Sequence, residues 1–132
     1  MILDTNFIID IMNGDNEALN KLDKIEGSSS SVSTTAITLF ELWSGINRSN
    51  RSEEEKEKVL NVISSLTVYS LDEKSAKIAG RIDGVLANKK EKMSPEDCKI
   101  AGIAIKNSEK IVTKDKDFST IQKYSTLETE RF

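Results

Sequence analysis

Brief apolar runs separated by longer amphipathic segments set the pattern of this chain, and few folds accept that alternation. Met1-Ile2-Leu3-Asp4 reads as a buried strand ending on a carboxylate. Val32-Ser33-Thr34, Thr67-Val68-Tyr69-Ser70-Leu71 and Lys110-Ile111-Val112-Thr113 read as three more strands. Thr126-Leu127-Glu128 is expected to add a short last strand that closes the sheet. The segments between them carry helical periods. Residues 7–12 form a helix closed by Asn13-Gly14, and another runs from about Asn16 to a stop at Gly27, with Ala18, Leu19, Leu22 and Ile25 on one face. Residues 35–47 bury Ala36, Leu39, Phe40, Trp43 and Ile46, and a helix from Ser52, opened by a Ser52/Glu55 capping box, buries Val59, Leu60, Val62, Ile63 and Leu66. Residues 73–88 turn Ser75, Ile78, Ala79, Ile82, Val85 and Leu86 inward. Ser94-Pro95-Glu96-Asp97 is a helix start, with a capping serine, proline at the first position and acids in the first turn. Residues 114–118 read as a turn, and the serine run 28–31 as a loop rather than a linker. Strands alternating with helices define an α/β fold, a mainly parallel central sheet of four to five strands flanked by helices. Residues 1–132 are expected to form a single domain.

Composition narrows the chemistry. The chain has no histidine and one cysteine, Cys98. That removes the commonest general base, the commonest zinc ligand, and any Cys-His or Ser-His-Asp nucleophile system. A lone cysteine also makes no internal disulfide, which fits a reducing cytoplasm, and no apolar run is long enough to span a bilayer. The net charge of −3 argues against a generic nucleic-acid coat protein. It leaves room for a nuclease, whose acidic site and basic rim nearly cancel in the sum.

Most of the 22 acidic residues must be solvated charges, and four stand out by position. Asp4 ends the first strand and Asp115 follows the fourth by two residues, where parallel sheets bind ligands. Glu41 and Asp97 lie on helices that begin at the same edge. Each aspartate also has a structural explanation: Asp4 as a helix cap, Asp97 as the third residue of a capping box, Asp115 and Asp117 as turn formers or an N-cap. Glu41 resists that explanation. It is the only charge between Gly27 and Arg48, and Ile37, Thr38, Ser44 and Gly45 around it leave room beside the carboxylate. Carboxylates brought together repel unless a cation joins them, and an all-oxygen donor set selects Mg²⁺ or Mn²⁺.

Four segments together resemble the PIN-domain family, and within it the VapC-type toxin ribonucleases. They are Ile2-Leu3-Asp4-Thr5-Asn6-Phe7-Ile8-Ile9, Thr38-Leu39-Phe40-Glu41-Leu42-Trp43-Ser44-Gly45, Pro95-Glu96-Asp97 with Ile100-Ala101, and Ile111-Val112-Thr113-Lys114-Asp115-Lys116-Asp117-Phe118. The resemblance implies a Mg²⁺- or Mn²⁺-dependent endoribonuclease, the toxin of a type II toxin–antitoxin pair, with Asp4, Glu41, Asp97 and Asp115 as catalytic metal ligands. It implies that Thr5, Asn6, Thr113 and Asp117 hydrogen-bond around those acids. The fourth motif offers both Asp115 and Asp117, and spacing favours Asp115. Lys99 and Gly102 depart from the family pattern, which more often has an apolar residue and an alanine there. Implied partners are RNA, a VapB-like antitoxin whose arginine enters the acidic site, and a second copy of the chain. Ala76, Gly80 and Gly84, four residues apart, would let that copy approach closely. Lys89, Lys90, Lys92, Lys114 and Lys116 are candidate phosphate contacts.

Two other readings compete: a non-catalytic PIN-like module that binds RNA or protein, and a structure-specific DNA nuclease of related fold. A haloacid-type phosphatase would need a second acid where Asp4-Thr5-Asn6 has none, and a receiver domain would need paired acids there.

Overall fold

The computed structural model describes residues 1–28 and 30–132; within the serine loop, Ser29 lies outside the described residues. The chain runs β1 (Ile2–Leu3), α1 (Thr5–Met12), α2 (Asn16–Gly27), β2 (Ser33–Thr35), α3 (Ala36–Arg48), α4 (Ser52–Ile63), β3 (Thr67–Tyr69), α5 (Glu73–Asn88), α6 (Pro95–Lys106), β4 (Ile111–Val112), α7 (Lys116–Gln122) and β5 (Thr129–Glu130). The strands form one sheet in the order β3-β2-β1-β4-β5. Every pairing is parallel: Ile2 faces Ser33 on one side and Ile111 on the other, and Leu3 faces Val112. Among the described residues, no helix is long and apolar enough to cross a membrane.

Successive strand residues point to opposite faces, and two residues of β1 are enough to show the consequence. Ile2 and Ile111 enter a core with Ile82 and Leu86 of α5, Ile100 and Ile103 of α6, and Phe118 and Ile121 of α7. Leu3 and Val112 enter a second core with Phe7 and Ile8 of α1, Ala18 and Ile25 of α2, Leu42 and Ile46 of α3, and Val59 of α4. The result is a sheet with helices on both faces. The first half of the chain covers one face and the second half covers the other.

Several local expectations need correction. Helix α3 presents Thr38, Leu42 and Ile46 inward, while Phe40 is 68% exposed. Buried threonine hydroxyls occupy part of the inward stripe, and a count of apolar residues alone cannot see them. Leu60, expected on the buried side of α4, is exposed as well. Ser52 does not cap α4, because the helix starts on it, with Arg51 at the cap position and no side-chain cap bond. Residues 116–122, expected to start as a turn, form helix α7, capped by Asp115 and anchored by Phe118 and Ile121 one turn apart. The last strand pairs at Thr129–Glu130 rather than 126–128, because Leu127 points into the core before the ladder begins.

Helices α5 and α6 approach unusually closely, and Gly102 makes that possible. A Cβ built there would lie 2.6 Å from the Ser75 carbonyl oxygen and 2.8 Å from both the Cβ and the backbone nitrogen of Ala79. Two of those atoms are backbone and cannot turn aside. The glycine that departs from the family pattern is therefore a packing requirement of this helix pair. Gly102→Ala should lower stability by about 1–2 kcal/mol, the overpacking cost outweighing the roughly 1 kcal/mol gained in helix propensity. Gly45→Ala has nothing within 4 Å of its new methyl and should instead raise stability. Chemical denaturation of both variants checks the pair, and equal shifts of one sign would contradict the packing account.

Candidate active site

The strand order places β1 between β2, which follows it in the chain, and β4, which arrives from the second half. The connections after these two strands leave on opposite faces, so a crevice opens beyond their carboxyl ends. Asp4 leaves β1 at that crevice and caps α1, its Oδ1 accepting the Phe7 N–H at 2.8 Å. Asp115 follows β4 and caps α7, its Oδ1 accepting the Asp117 N–H at 2.9 Å. Ser94 caps α6 by accepting the Asp97 N–H at 3.1 Å. Helix α3 adds Glu41. A cleft of about 210 Å³ results, lined by Asp4, Thr5, Asn6, Glu41, Ser94, Asp97, Ile100, Asp115 and Phe118. A larger hollow of about 500 Å³, beside Asp83, Lys90, Lys92 and Met93, gathers no comparable set of acids, so charge convergence rather than size marks this cleft.

All four singled-out acids line the cleft, and a fifth joins them. Carboxylate oxygens of Asp97, Asp115 and Asp117 lie within 4.8 Å of one another, a spacing that a single ion can bridge. Asp4 and Glu41 line the same cleft outside this trio. Asp4 is 3% exposed, and burial pushes its carboxyl up to about 6. Hydrogen bonds from Thr113 and the Phe7 amide work against that rise, and the charges of Asp115 and Asp10 add to it. Burial likewise pushes Asp97 up to about 6; Ser94 opposes the rise, and Asp115, Asp117 and Glu41 reinforce it. Asp4, Asp97 and Asp115 stand at the starts of α1, α6 and α7, helix ends that favour a carboxylate.

The neutral residues are arranged around the acids. Thr113 is fully buried; its hydroxyl bonds Asp4 and its oxygen accepts the Asp115 N–H at 2.9 Å, linking the ends of β1 and β4. The Thr5 hydroxyl donates to Glu41 Oε1 at 2.7 Å. Asn6 lies exposed on the cleft wall. The lysines behave less uniformly than their sequence positions suggested. Lys114 turns to Asp10, 2.9 Å away, and its ammonium lies 5.2 Å from the centre of the Phe132 ring, so it is already committed within the fold. In the sequence, Ser94 reads only as a cap. A cap residue necessarily faces a helix N-terminus, and here that terminus forms the cleft wall.

Comparisons with known proteins bear on the family and the fold. The PIN domain family model matches residues 1–124. No curated protein sequence matches the chain. Among solved structures, a chain of DNA-bound VapBC from Salmonella typhimurium is 30% identical, with a TM-score of 0.85 over 98% of this chain and 96% of that one. A chain of VapBC2 from Rickettsia felis, bound to a promoter DNA fragment, is 23% identical with a TM-score of 0.89, covering 99% and 97%. VapC20 of Mycobacterium tuberculosis, described as a Sarcin-Ricin loop cleaving toxin, is 16% identical with a TM-score of 0.66, covering 90% and 92%. The last two likenesses concern the fold alone.

The raised carboxyls of Asp4 and Asp97 make the stability of the metal-free protein depend on pH. Folding lifts each from the ordinary aspartate value of 3.8, so the folded state holds more protons than the unfolded chain between that value and about 6. Their contribution is most favourable below that window and is lost as pH rises through it. In chelator-treated protein, the melting temperature of Asp4→Asn should exceed wild type by a margin that widens from about pH 4 to pH 6 and then levels. A margin constant over that range would contradict the assignment.

Proposed function

Because the chain belongs to the PIN-domain family, we propose that it is a Mg²⁺- or Mn²⁺-dependent endoribonuclease acting as the toxin of a type II toxin–antitoxin pair. The observation that carries this reading is the convergence of Asp4, Glu41, Asp97 and Asp115 on one cleft, with Asp97, Asp115 and Asp117 clustered there closely enough to share an ion. The donor set is all oxygen, which suits a hard divalent ion. Burial, reinforced by neighbouring carboxylate charges, raises the Asp4 and Asp97 carboxyls, a cost that a cation removes. Asp4, Glu41, Asp97 and Asp115 would hold the ion, with Asp117 beside them. Bound there, Mg²⁺ or Mn²⁺ would supply an activated water and offset the charge developing on the scissile phosphate.

The chain's own groups then have distinct tasks. Thr113 holds Asp4 and the Asp115 backbone in one frame, and Thr5 fixes one oxygen of Glu41. Asn6, exposed on the wall, is placed to hydrogen-bond substrate. Ile100 and Phe118 add the apolar part of the cleft lining. No histidine is available, so protons must pass through carboxylates and water. Lys116, exposed beside Asp115, and the lysines of the α5–α6 loop remain for phosphate contacts. RNA as substrate rests on membership of the PIN-domain family and the resemblance of the four acidic motifs to VapC-type ribonucleases.

The VapBC complexes among the structural neighbours support a VapB-like partner for this chain. We assign to that partner an arginine that enters the cleft and pairs with its carboxylates, competing with the ion. A homodimer is supported by α5, where Ala76, Gly80 and Gly84 are exposed and nothing lies within 4 Å of a methyl built on either glycine. Sedimentation velocity should show a dimer; a monomer at every concentration would refute that part.

Purified protein should cleave RNA only when Mg²⁺ or Mn²⁺ is added. Asp4→Asn and Asp115→Asn should each reduce the rate by about 100-fold or more while remaining folded. Binding of RNA without cleavage in any divalent ion would favour the non-catalytic module, and cleavage confined to branched DNA would favour the structure-specific nuclease. Inhibition by the partner should weaken as Mg²⁺ rises.

A further inference from the structure

A row of threonine hydroxyls runs from the core to the cleft. Thr35, the cap of α3, accepts the Thr38 N–H on its Oγ1 at 3.1 Å. Thr38 Oγ1 lies 3.1 Å from Thr5 Oγ1 and 3.4 Å from Thr35 Oγ1. Thr5 Oγ1 lies 2.7 Å from Glu41 Oε1. Thr35 and Thr38 are both 0% exposed. Their neighbour Thr34 gives a useful contrast, since its buried hydroxyl donates to a backbone carbonyl, that of Leu3 at 3.1 Å. The Thr38 hydroxyl, among the described residues, bonds only to other hydroxyls, and the row ends on a carboxylate.

Counting protons gives the row a direction. A threonine hydroxyl has one proton and two lone pairs. The Thr5 proton belongs on Glu41, because that contact is shorter and its acceptor is charged. The 3.1 Å contact between Thr5 and Thr38 must then use the Thr38 proton and a lone pair of Thr5. We propose that Thr38 is a positioning residue for Glu41: its buried hydroxyl donates to Thr5 and holds the Thr5 proton on Glu41 Oε1, leaving the second carboxylate oxygen for a divalent cation. Thr35 supports the arrangement by fixing the Thr38 backbone. The inference rests on Glu41 being a metal ligand. It also accounts for a hydroxyl on the inward stripe of α3, where valine would fill the same space without a buried polar group.

The test is Mn²⁺ affinity, measured by calorimetry on the full chain, with melting temperature as the check on folding. Thr38→Val should bind Mn²⁺ about tenfold more weakly, the lower end of what losing an outer partner costs. Thr38→Ser should restore the affinity. In a Thr5→Val background, Thr38→Val should add nothing, because its route to Glu41 is already cut. Thr38→Ala removes the hydroxyl without adding an atom and gives the same comparison if valine is not accommodated. Wild-type affinity in Thr38→Val, alongside weakened binding in Glu41→Gln, would overturn the positioning role alone. Wild-type affinity in Glu41→Gln would overturn the reading of Glu41 as a ligand and the proposal with it.

Discussion

A two-residue strand holds this molecule together. Ile2 and Leu3 sit at the centre of a parallel sheet, hydrogen-bonded on both sides, and face opposite cores. Each must be apolar, because neither has a face toward water. The next residue emerges at the carboxyl edge, between the strands of the two chain halves. That residue is Asp4. Its position follows from the sheet, and everything at the cleft is arranged around a charge the fold delivers to a dry place.

That delivery sets stability against function. Asp4 could cap α1 equally well on the surface, where its carboxyl would titrate normally. Held 3% exposed in a cleft shared with Glu41, Asp97 and Asp115, it carries a penalty that the packing must offset. The two cores supply the offset by burying apolar side chains on both faces of the sheet. Small devices help at the margin. Asp72 caps α5 and pairs with Lys106 of α6 at 2.8 Å, which keeps its carboxyl well below the usual range and ties the helix carrying Asp97 to its neighbour. Structural and functional explanations of these aspartates therefore do not compete: Asp4 and Asp115 are helix caps because the cleft is built from helix starts.

Much of this was legible from the chain. The bounds of α2 and α5 and the start of α6 follow from caps, glycine stops and apolar periods, and all of them are local signals. The two motif aspartates that end strands could be placed because a parallel sheet presents its carboxyl ends to one crevice. What escaped notice was polar and buried, or tertiary in origin. Thr38 counts as hydrophilic in any periodicity, yet it is fully buried on the inward stripe of α3. Helix α7 is short, and its apolar anchors, Phe118 and Ile121, acquire meaning only once the sheet is there to receive them. Lys114 looked like a substrate contact because Asp115 is adjacent; only the fold brings Asp10 and Phe132 to it.

The glycine contact between α5 and α6 has a mechanical side. Backbone against backbone, with no side chain between them to yield, the two helices cannot slide past each other near Gly102. Asp97 stands at the start of α6, five residues before that contact, while Asp115 and Asp117 ride on a separate loop and helix. One wall of the acid cluster thus has the inertia of a paired slab and the other that of a single short helix. A change in the spacing of the three carboxylates would therefore have to come from the α7 side, since the α6 side is fixed to its neighbour like a post that cannot swing.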